Sequence, residues 1–334
     1  MQLSIIIVNY RTPGLVIDCL HSVYSNTHSI SFEVIVVDND SQDNSRQLIL
    51  AQFSEVKWIQ FDYNSGFARA NNEGIRQAKG EMILLLNSDT VCVSAAIAEC
   101  VRQFSKDPYL ACGIQLINPD GTPQISGNYF VTGGLNNLLS LPYTGAIIKA
   151  TGEAFRIKKP HVPETQTTVE VDWINGAFLM VRKEVIAKAG LLDEDFFLYA
   201  EEAEWCARIR KHGKCCIYGQ WQIIHLQGET ATETFDTKQK GYKLLHGKKG
   251  LQMMLSNFVR IRKQFGSGWY LLQMLVYTVE VPVYLIARLI ANIFSLRNPF
   301  NGFSIWVGFT ANVGRLWTYS GKIISGRPYF YKVI

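Results

Sequence analysis

The chain has 334 residues, room for one large domain or two of ordinary size, and its 48% hydrophobic content suffices for a buried core. A net charge of +5 is mild and gives no electrostatic reason to expect a nucleic-acid partner. The seven cysteines are odd in number and show no repeated CxxC pairing, which speaks against a disulfide framework and for a reduced, cytosol-facing protein with cysteines packed as small hydrophobes. The start, MQLSIIIVNY, has neither a basic n-region nor a small-residue cleavage site, so no signal peptide is expected.

In chain order, LSIIIVNY has the pattern of a strand buried on both faces, followed by a Pro13-Gly14 break and the amphipathic run LVIDCLHSVY. FEVIVVDND predicts a second strand, and SQDNSRQLILAQF a helix with Ser41, Asp43 and Ser45 as available caps. VKWIQFDY predicts a third strand, NSGFARANNEGIRQAKG a loop turning into a helix, and EMILLLNSD a fourth strand. Strands alternating with helices at this spacing imply a mostly parallel, Rossmann-like α/β sheet covered on both faces, with ligands bound beyond the carboxyl ends of the strands.

Polar groups sit at all four of those ends: Asn9-Tyr10-Arg11, Asp38-Asn39-Asp40, Asn64-Ser65-Gly66 and Asn87-Ser88-Asp89. Singly, each is an ordinary turn; together, with an aromatic beside them, they suit a nucleotide. Tyr10 offers a face for a base or a side chain for the core, Asp38 an acceptor for a ring N–H or a ribose hydroxyl, and the Asn64–Gly66 turn a close backbone approach. In a strand, positions i and i+2 project together, so Asn87 and Asp89 suit either a turn or a cation. A diphosphate brings a hard cation, Mg²⁺ or Mn²⁺, that needs only one or two carboxylates from protein. The carboxylate at Asp89 answers that need.

The segments SIIIVNYR, VIVVDNDSQDNS, NSGFARANNEGIRQAKGE, ILLLNSDT, DWINGAFLMVRKEVIAKAGLLDEDFFLYAEEAEWCARIRKHG and IIHLQGET span roughly residues 3–230. In order and spacing they resemble the inverting family 2 glycosyltransferases of the GT-A fold, in the rhamnosyltransferase-like branch. The resemblance implies a hexosyltransferase that moves a sugar from a nucleoside-diphosphate donor, dTDP-rhamnose-like or a UDP-sugar, to a glycan or lipid-linked acceptor in surface polysaccharide assembly. Asn87-Ser88-Asp89 occupies the place of the family's DxD motif, which assigns Asp89 to the metal. His225 falls where a histidine approaches metal and diphosphate; a satisfied structural histidine is the other possibility. The remaining donor contacts implied are Tyr10, Arg11, Asp38, Asn39, Asn64, Gly66, Phe67, Asn72, Asn87, Ser88, Trp173, Asn175, Gly176 and Glu201. The family's base falls on Glu202, and both Glu202 and Glu204 stand where the family usually has Asp. By itself this acidic cluster is also what the start of a helix favours.

Domains are expected at 1–230, the glycosyltransferase domain, and 231–334, a basic and hydrophobic helical region. The chain is basic from Lys238 to Lys263, and residues 269–294 are apolar but interrupted by Glu280, Pro282 and Arg288. That length could span a bilayer. Internal charges and basic residues on both flanks instead favour an interfacial or re-entrant element on an anionic membrane surface, at the cytoplasmic face of the cell membrane. Two alternatives stay open: a nucleotidyltransferase, which releases diphosphate, and a catalytically silent nucleotide-sugar-binding protein.

Overall fold

The structure is a computed structural model and describes residues 1–157, 159–162, 164–226 and 245–333. The end of IIHLQGET, the basic residues Lys238, Lys240 and Lys243, and the expected boundary at 230 lie outside the described residues. The chain forms two compact units, one of residues 1–129, 161–197 and 201–240, the other of 130–160, 198–200 and 241–334.

The first unit opens β1 (Leu3–Asn9), α1 (Pro13–Asn26), β2 (Phe32–Asp38), α2 (Ser45–Gln52), β3 (Lys57–Gln60), α3 (Gly66–Gln77) and β4 (Met82–Leu86). It continues with β5 (Thr90–Val91), α4 (Ala96–Lys106), β6 (Ala111–Ile117) and β7 (Gly127–Asn128). The second unit interposes a 3-10 segment, Thr132–Ser140, and α5 (Thr144–Ala154). The first unit then resumes with β8 (His161–Val162), β9 (Thr168–Val171), β10 (Trp173–Ile174), β11 (Phe178–Arg182), α6 (Lys183–Ala189), α7 (Glu201–Ile209) and β12 (Cys215–His225).

The four expected strands form, in the order β3-β2-β1-β4, all parallel. Beyond β4 the sheet departs from the mostly parallel expectation. β11 lies antiparallel between β4 and β6, and β12, parallel to β6, also pairs antiparallel with β5 and β9. Alternate residues of the buried strands face opposite ways. Leu3, Ile5 and Ile7 of β1 share one core with Val16, Cys19 and Leu20 of α1 and with Cys100, Val101 and Phe104 of α4. Ile6 points to the other face, where α3 packs so closely that a Cβ at Gly74 would stand 2.6 Å from Ile6 Cγ2. The helix after β2 starts at Ser45, whose N–H donates to Asp43 Oδ1 (2.8 Å). All seven cysteines are buried and free. Burial pushes the Cys216 thiol far above its ordinary range.

The second unit is helical: α5, α8 (Gly247–Phe265), α9 (Ser267–Phe294) and α10 (Phe303–Ser325). Its core holds edge-on aromatic pairs, Phe258 with Tyr277 at 5.0 Å and Tyr284 with Phe309 at 5.8 Å. Glu280, an interruption in the apolar 269–294 stretch, is fully buried within protein. Its carboxylate accepts from Tyr143 N (2.7 Å), Thr144 N (3.2 Å) and Thr144 Oγ1, capping the start of α5. Most of α9 faces outward: only 22% of its most apolar 18-residue window is buried.

Candidate active site

Strand pairing gathers one edge of the first unit's sheet. Asn9 pairs with Asp38 across β1 and β2, Asn87 N donates to Ala177 O (3.1 Å) at the start of β11, and Thr90 pairs with His225 across β5 and β12. Asn9, Asp38, Asn87, Asp89, Gly176 and His225 therefore share that edge, although 138 residues separate Asn87 from His225 in sequence. Backbone with positive φ concentrates here at Arg11, Asp40 and Gln42, and again at Tyr199 and Ala200 just before α7. Such conformations cost about 1–3 kcal/mol each and persist where the surroundings impose them.

Asp89 and His225 are both nearly closed to solvent. His225 Nε2 lies 3.4 Å from Asp89 Oδ1 and 3.5 Å from Asn87 Nδ2, and Asp89 Oδ1 has no hydrogen-bond donor. On its other side the ring meets Gln124, with Oε1 at 2.9 Å from Nδ1. A buried carboxylate oxygen without a donor, beside an imidazole nitrogen, is a donor set that fits a divalent cation. Among the described residues no three His, Cys, Asp or Glu gather into a metal cluster. A metal here would thus take its other ligands from diphosphate and water, as Mg²⁺ and Mn²⁺ commonly do. The turn role of Asn87-Ser88-Asp89 is realised as well: Thr90 Oγ1 donates to Asn87 O (2.8 Å), and Leu226 N donates to Asp89 O (2.9 Å).

Asp38 is almost fully enclosed, and both of its oxygens are engaged. Oδ2 accepts from Asn9 Nδ2 and Ser41 Oγ (both 2.6 Å), and Oδ1 from Ser41 N (2.9 Å) and Gln60 Nε2 (2.7 Å). Gln60 is the exposed member of this set, so it is the group a ligand N–H can displace. Tyr10 is half-buried, with the Arg11 guanidinium 5.2 Å from its ring centroid.

Several residues expected at the nucleotide also hold the loops together. Asn39 Oδ1 accepts from Ser65 N and Ser65 Oγ (both 2.8 Å), and Asn39 Nδ2 donates to Asn64 Oδ1 (2.9 Å), which also accepts from Gly66 N (3.1 Å). Phe67 N donates to Phe197 O (2.8 Å). The first amides of α3, Gly66 N and Phe67 N, therefore already have acceptors inside the protein. Gly66 is required on two counts: its φ is +78°, and a Cβ would meet Phe197 O at 2.4 Å. Asn72 is fully buried, its amide bonded at both ends to the backbone of Leu192 (2.9 and 3.0 Å). It tethers the loop that leads to α7.

That helix begins with the acidic cluster. Glu201 is buried, and its Oε2 lacks a donor; burial, reinforced by the charge of Glu202, pushes its carboxyl well above the usual range. Glu204 is committed to Arg208, accepting from Nε (2.8 Å) and Nη2 (2.7 Å). Glu202 is half-buried and lies over Gly176, where a Cβ would stand 3.8 Å from its Cβ and Cγ. Asn175 Oδ1 shapes that turn by accepting from Ala177 N (3.0 Å). Trp173 and Ser88 stand on the neighbouring segments, half-buried and buried respectively. The sequence offers no signal for Gln60 or Gln124, and points to Ser41 only as a helix cap. Each is a common polar residue in a polar loop or at a strand end, and only its contacts distinguish it.

The profile described as Glycosyl transferase family 2 matches residues 4–161. The low-salt glycan biosynthesis hexosyltransferase Agl10 of Haloferax volcanii is 29% identical over 232 residues, covering 67% of this chain and 66% of that protein. A poly-beta-1,6-N-acetyl-D-glucosamine synthase of Staphylococcus epidermidis is 25% identical over 205 residues, covering 61% of this chain and 45% of the synthase. The chain thus spans less than two thirds of either relative. Among solved structures, the mannosyltransferase PcManGT from Pyrobaculum calidifontis, in complex with GDP-Man and Mn2+, superposes with a TM-score of 0.54 at 13% identity, over 96% of this chain and 86% of that one. This last likeness is one of fold.

Proposed function

We propose, because this chain belongs to glycosyltransferase family 2 and has its GT-A fold, that it transfers a hexosyl group with inversion from a nucleoside-diphosphate sugar to a glycan or lipid-linked hydroxyl. The observation that carries this reading is the donor-free Asp89 Oδ1 facing His225 Nε2 at the sheet edge, with a half-buried Glu202 on a separate element over Gly176. Asp89 and His225 would hold Mg²⁺ or Mn²⁺, which when bound offsets the charge growing on the leaving diphosphate.

The chain's own residues supply the remainder. Tyr10 and Arg11 flank the base, Asp38 accepts a ring N–H or ribose hydroxyl in place of Gln60, and Trp173, Asn175 and Gly176 border the sugar. Glu202 takes the acceptor proton as the hydroxyl oxygen bonds to the anomeric carbon; the bond from that carbon to the diphosphate oxygen breaks with its electron pair. Base assistance of this kind contributes about 10²–10⁴ in rate. Burial pushes the Glu201 carboxyl up, and Glu202 beside it is the more accessible of the two.

A lipid surface is the proposed partner of the second unit. The outward residues of α9 form an uncharged stripe that includes Leu271, Leu275, Val279, Ile286, Ile290 and Ile293, each 45–58% exposed. The helix is about 42 Å long at 1.5 Å per residue. Residues 245–333 carry eleven Lys and Arg against one acid, the buried Glu280. A second copy would repel such a surface, whereas an anionic bilayer offers both acyl chains and countercharge.

Product analysis tests the transfer reading. With a panel of nucleoside-diphosphate sugars and lipid-linked or glycan acceptors, release of free nucleoside diphosphate coupled to sugar transfer is expected. Release of inorganic diphosphate instead would identify a nucleotidyltransferase. Donor binding with neither transfer nor hydrolysis would identify a silent binding protein.

A further inference from the structure

We propose that Gln124 is a positioning residue that fixes His225 in the Nδ1–H tautomer, so that a bare Nε2 faces Asp89. The proposal rests on the metal reading above only for its purpose, since the tautomer is set by contacts within the protein. Gln124 lies on the turn between β6 and β7, is 8% exposed, and has its backbone fixed at both ends: its N–H donates to Leu116 O (2.8 Å), and its carbonyl accepts from Gln115 Nε2 (2.9 Å). Its side-chain amide can sit only one way round. Nε2 is 2.7 Å from Asn118 Oδ1 and 2.7 Å from the backbone oxygen of His225, and the latter can only accept. The other end, Oε1, is therefore the atom 2.9 Å from His225 Nδ1. An amide oxygen cannot donate, so the ring hydrogen resides on Nδ1.

The same polarity continues outward. Asn118 Nδ2 donates to Thr122 Oγ1 (2.9 Å), which donates to Asp120 Oδ1 (2.5 Å) on the surface. The Thr122 hydroxyl and N–H, both donating to Asp120 Oδ1, hold that carboxyl below its usual range. Every donor in the chain from ring to carboxylate points away from the sheet edge, and each bond reinforces the next. When neutral, a ring so held presents a lone pair on Nε2 to a carboxylate oxygen 3.4 Å away. Two acceptors held face to face repel each other until a cation lies between them. Partners of this kind, behind a metal-binding histidine, set both the ring's orientation and its basicity.

The test separates this role from simple anchoring of the end of β12. In metal-free protein labelled with ¹⁵N-histidine, at about pH 8.5, above the ordinary histidine range, long-range ¹H–¹⁵N correlations report the tautomer, with the His225 signals identified by their loss in His225→Asn. The wild type should show Nδ1–H with an unprotonated Nε2. Gln124→Leu should move the ring toward Nε2–H and weaken Mn²⁺ binding, followed by electron paramagnetic resonance with UDP or GDP present, by about 10–100-fold. Gln124→Glu, which still accepts from Nδ1, should keep the tautomer. An Nε2–H tautomer in the wild type overturns the proposal, and that measurement stands even if Gln124→Leu fails to fold. An unchanged tautomer and Mn²⁺ affinity in a folded Gln124→Leu protein also overturns it. Failure of the wild type to bind Mn²⁺ despite the stated tautomer would instead sink the metal reading and leave the tautomer assignment intact.

Discussion

His225 Nε2 and Asp89 Oδ1 stand 3.4 Å apart because Thr90, next to Asp89, pairs with His225 across two antiparallel strands. A two-residue strand thereby fixes the separation of the two groups most suited to a cation. The proposed base, at the start of α7, is fixed independently of it. The two halves can be tested one at a time.

The base comes first. Glu204 is tied to Arg208 and burial pushes the Glu201 carboxyl up, and Glu202, the most accessible of the three, is the proposed base. Glu202→Gln should keep donor affinity and lower the transfer rate by roughly 10²-fold or more, measured with donor binding followed separately. Normal transfer by Glu202→Gln, with Glu201→Gln dead, would reassign the base.

Glu201 makes stability depend on pH in a definite direction. Its folded carboxyl holds a proton well above the ordinary value of 4.5, so the unfolded chain releases that proton first. Its contribution is fully present below 4.5 and is lost as pH rises toward the folded value. Glu201→Gln, which cannot ionise, should therefore gain stability over the wild type progressively above pH 4.5 in thermal melts. A difference independent of pH would show that Glu201 is not held protonated.

Much of this arrangement was legible in the sequence, and the failures have a common cause. Strands β1 to β4 stood out because doubly buried parallel strands are nearly continuous aliphatic runs, and their polar ends mark the binding edge. The mixed half of the sheet did not, since nothing in FLMVR or CCIYGQWQIIH indicates which strand it will pair with. Asn39, Asn64 and Asn72 are expected at a ligand, and their side chains also hold loops together, a use the sequence does not distinguish from ligand contact. Gln124 is unremarkable in GTPQIS and acquires meaning only because β12 returns His225 to it from 101 residues away.

Glu280 distinguishes a packed helix from a spanning one. Replacing it with Leu would stabilise a bilayer span, but here it should remove the acceptor for Tyr143 N and Thr144 N. We expect a loss of about 2 kcal/mol or more, read from denaturant melts. Increased stability would contradict the packing of α9 around this cap.

The stripe proposed to face lipid is tested without disturbing the core. Leu275 and Ile286 are 58% and 57% exposed, so Leu275→Glu with Ile286→Glu should leave the melting temperature nearly unchanged. Sedimentation with anionic vesicles at low salt should fall sharply. Undiminished sedimentation of the double variant would place the membrane contact elsewhere, and failure of the wild type to sediment would exclude it.

The measurement that bears most directly on the account is calorimetric binding of nucleoside diphosphates with and without Mn²⁺, in the wild type and in Asp89→Asn. At least one nucleoside diphosphate should bind the wild type in a Mn²⁺-dependent manner. Asp89→Asn should retain the wild-type melting temperature and lose that dependence, because Asp89 Oδ1 has no donor within the protein to forfeit. Equal binding with and without metal in the wild type, or an unchanged metal response in folded Asp89→Asn, would contradict a metal-held diphosphate at this sheet edge.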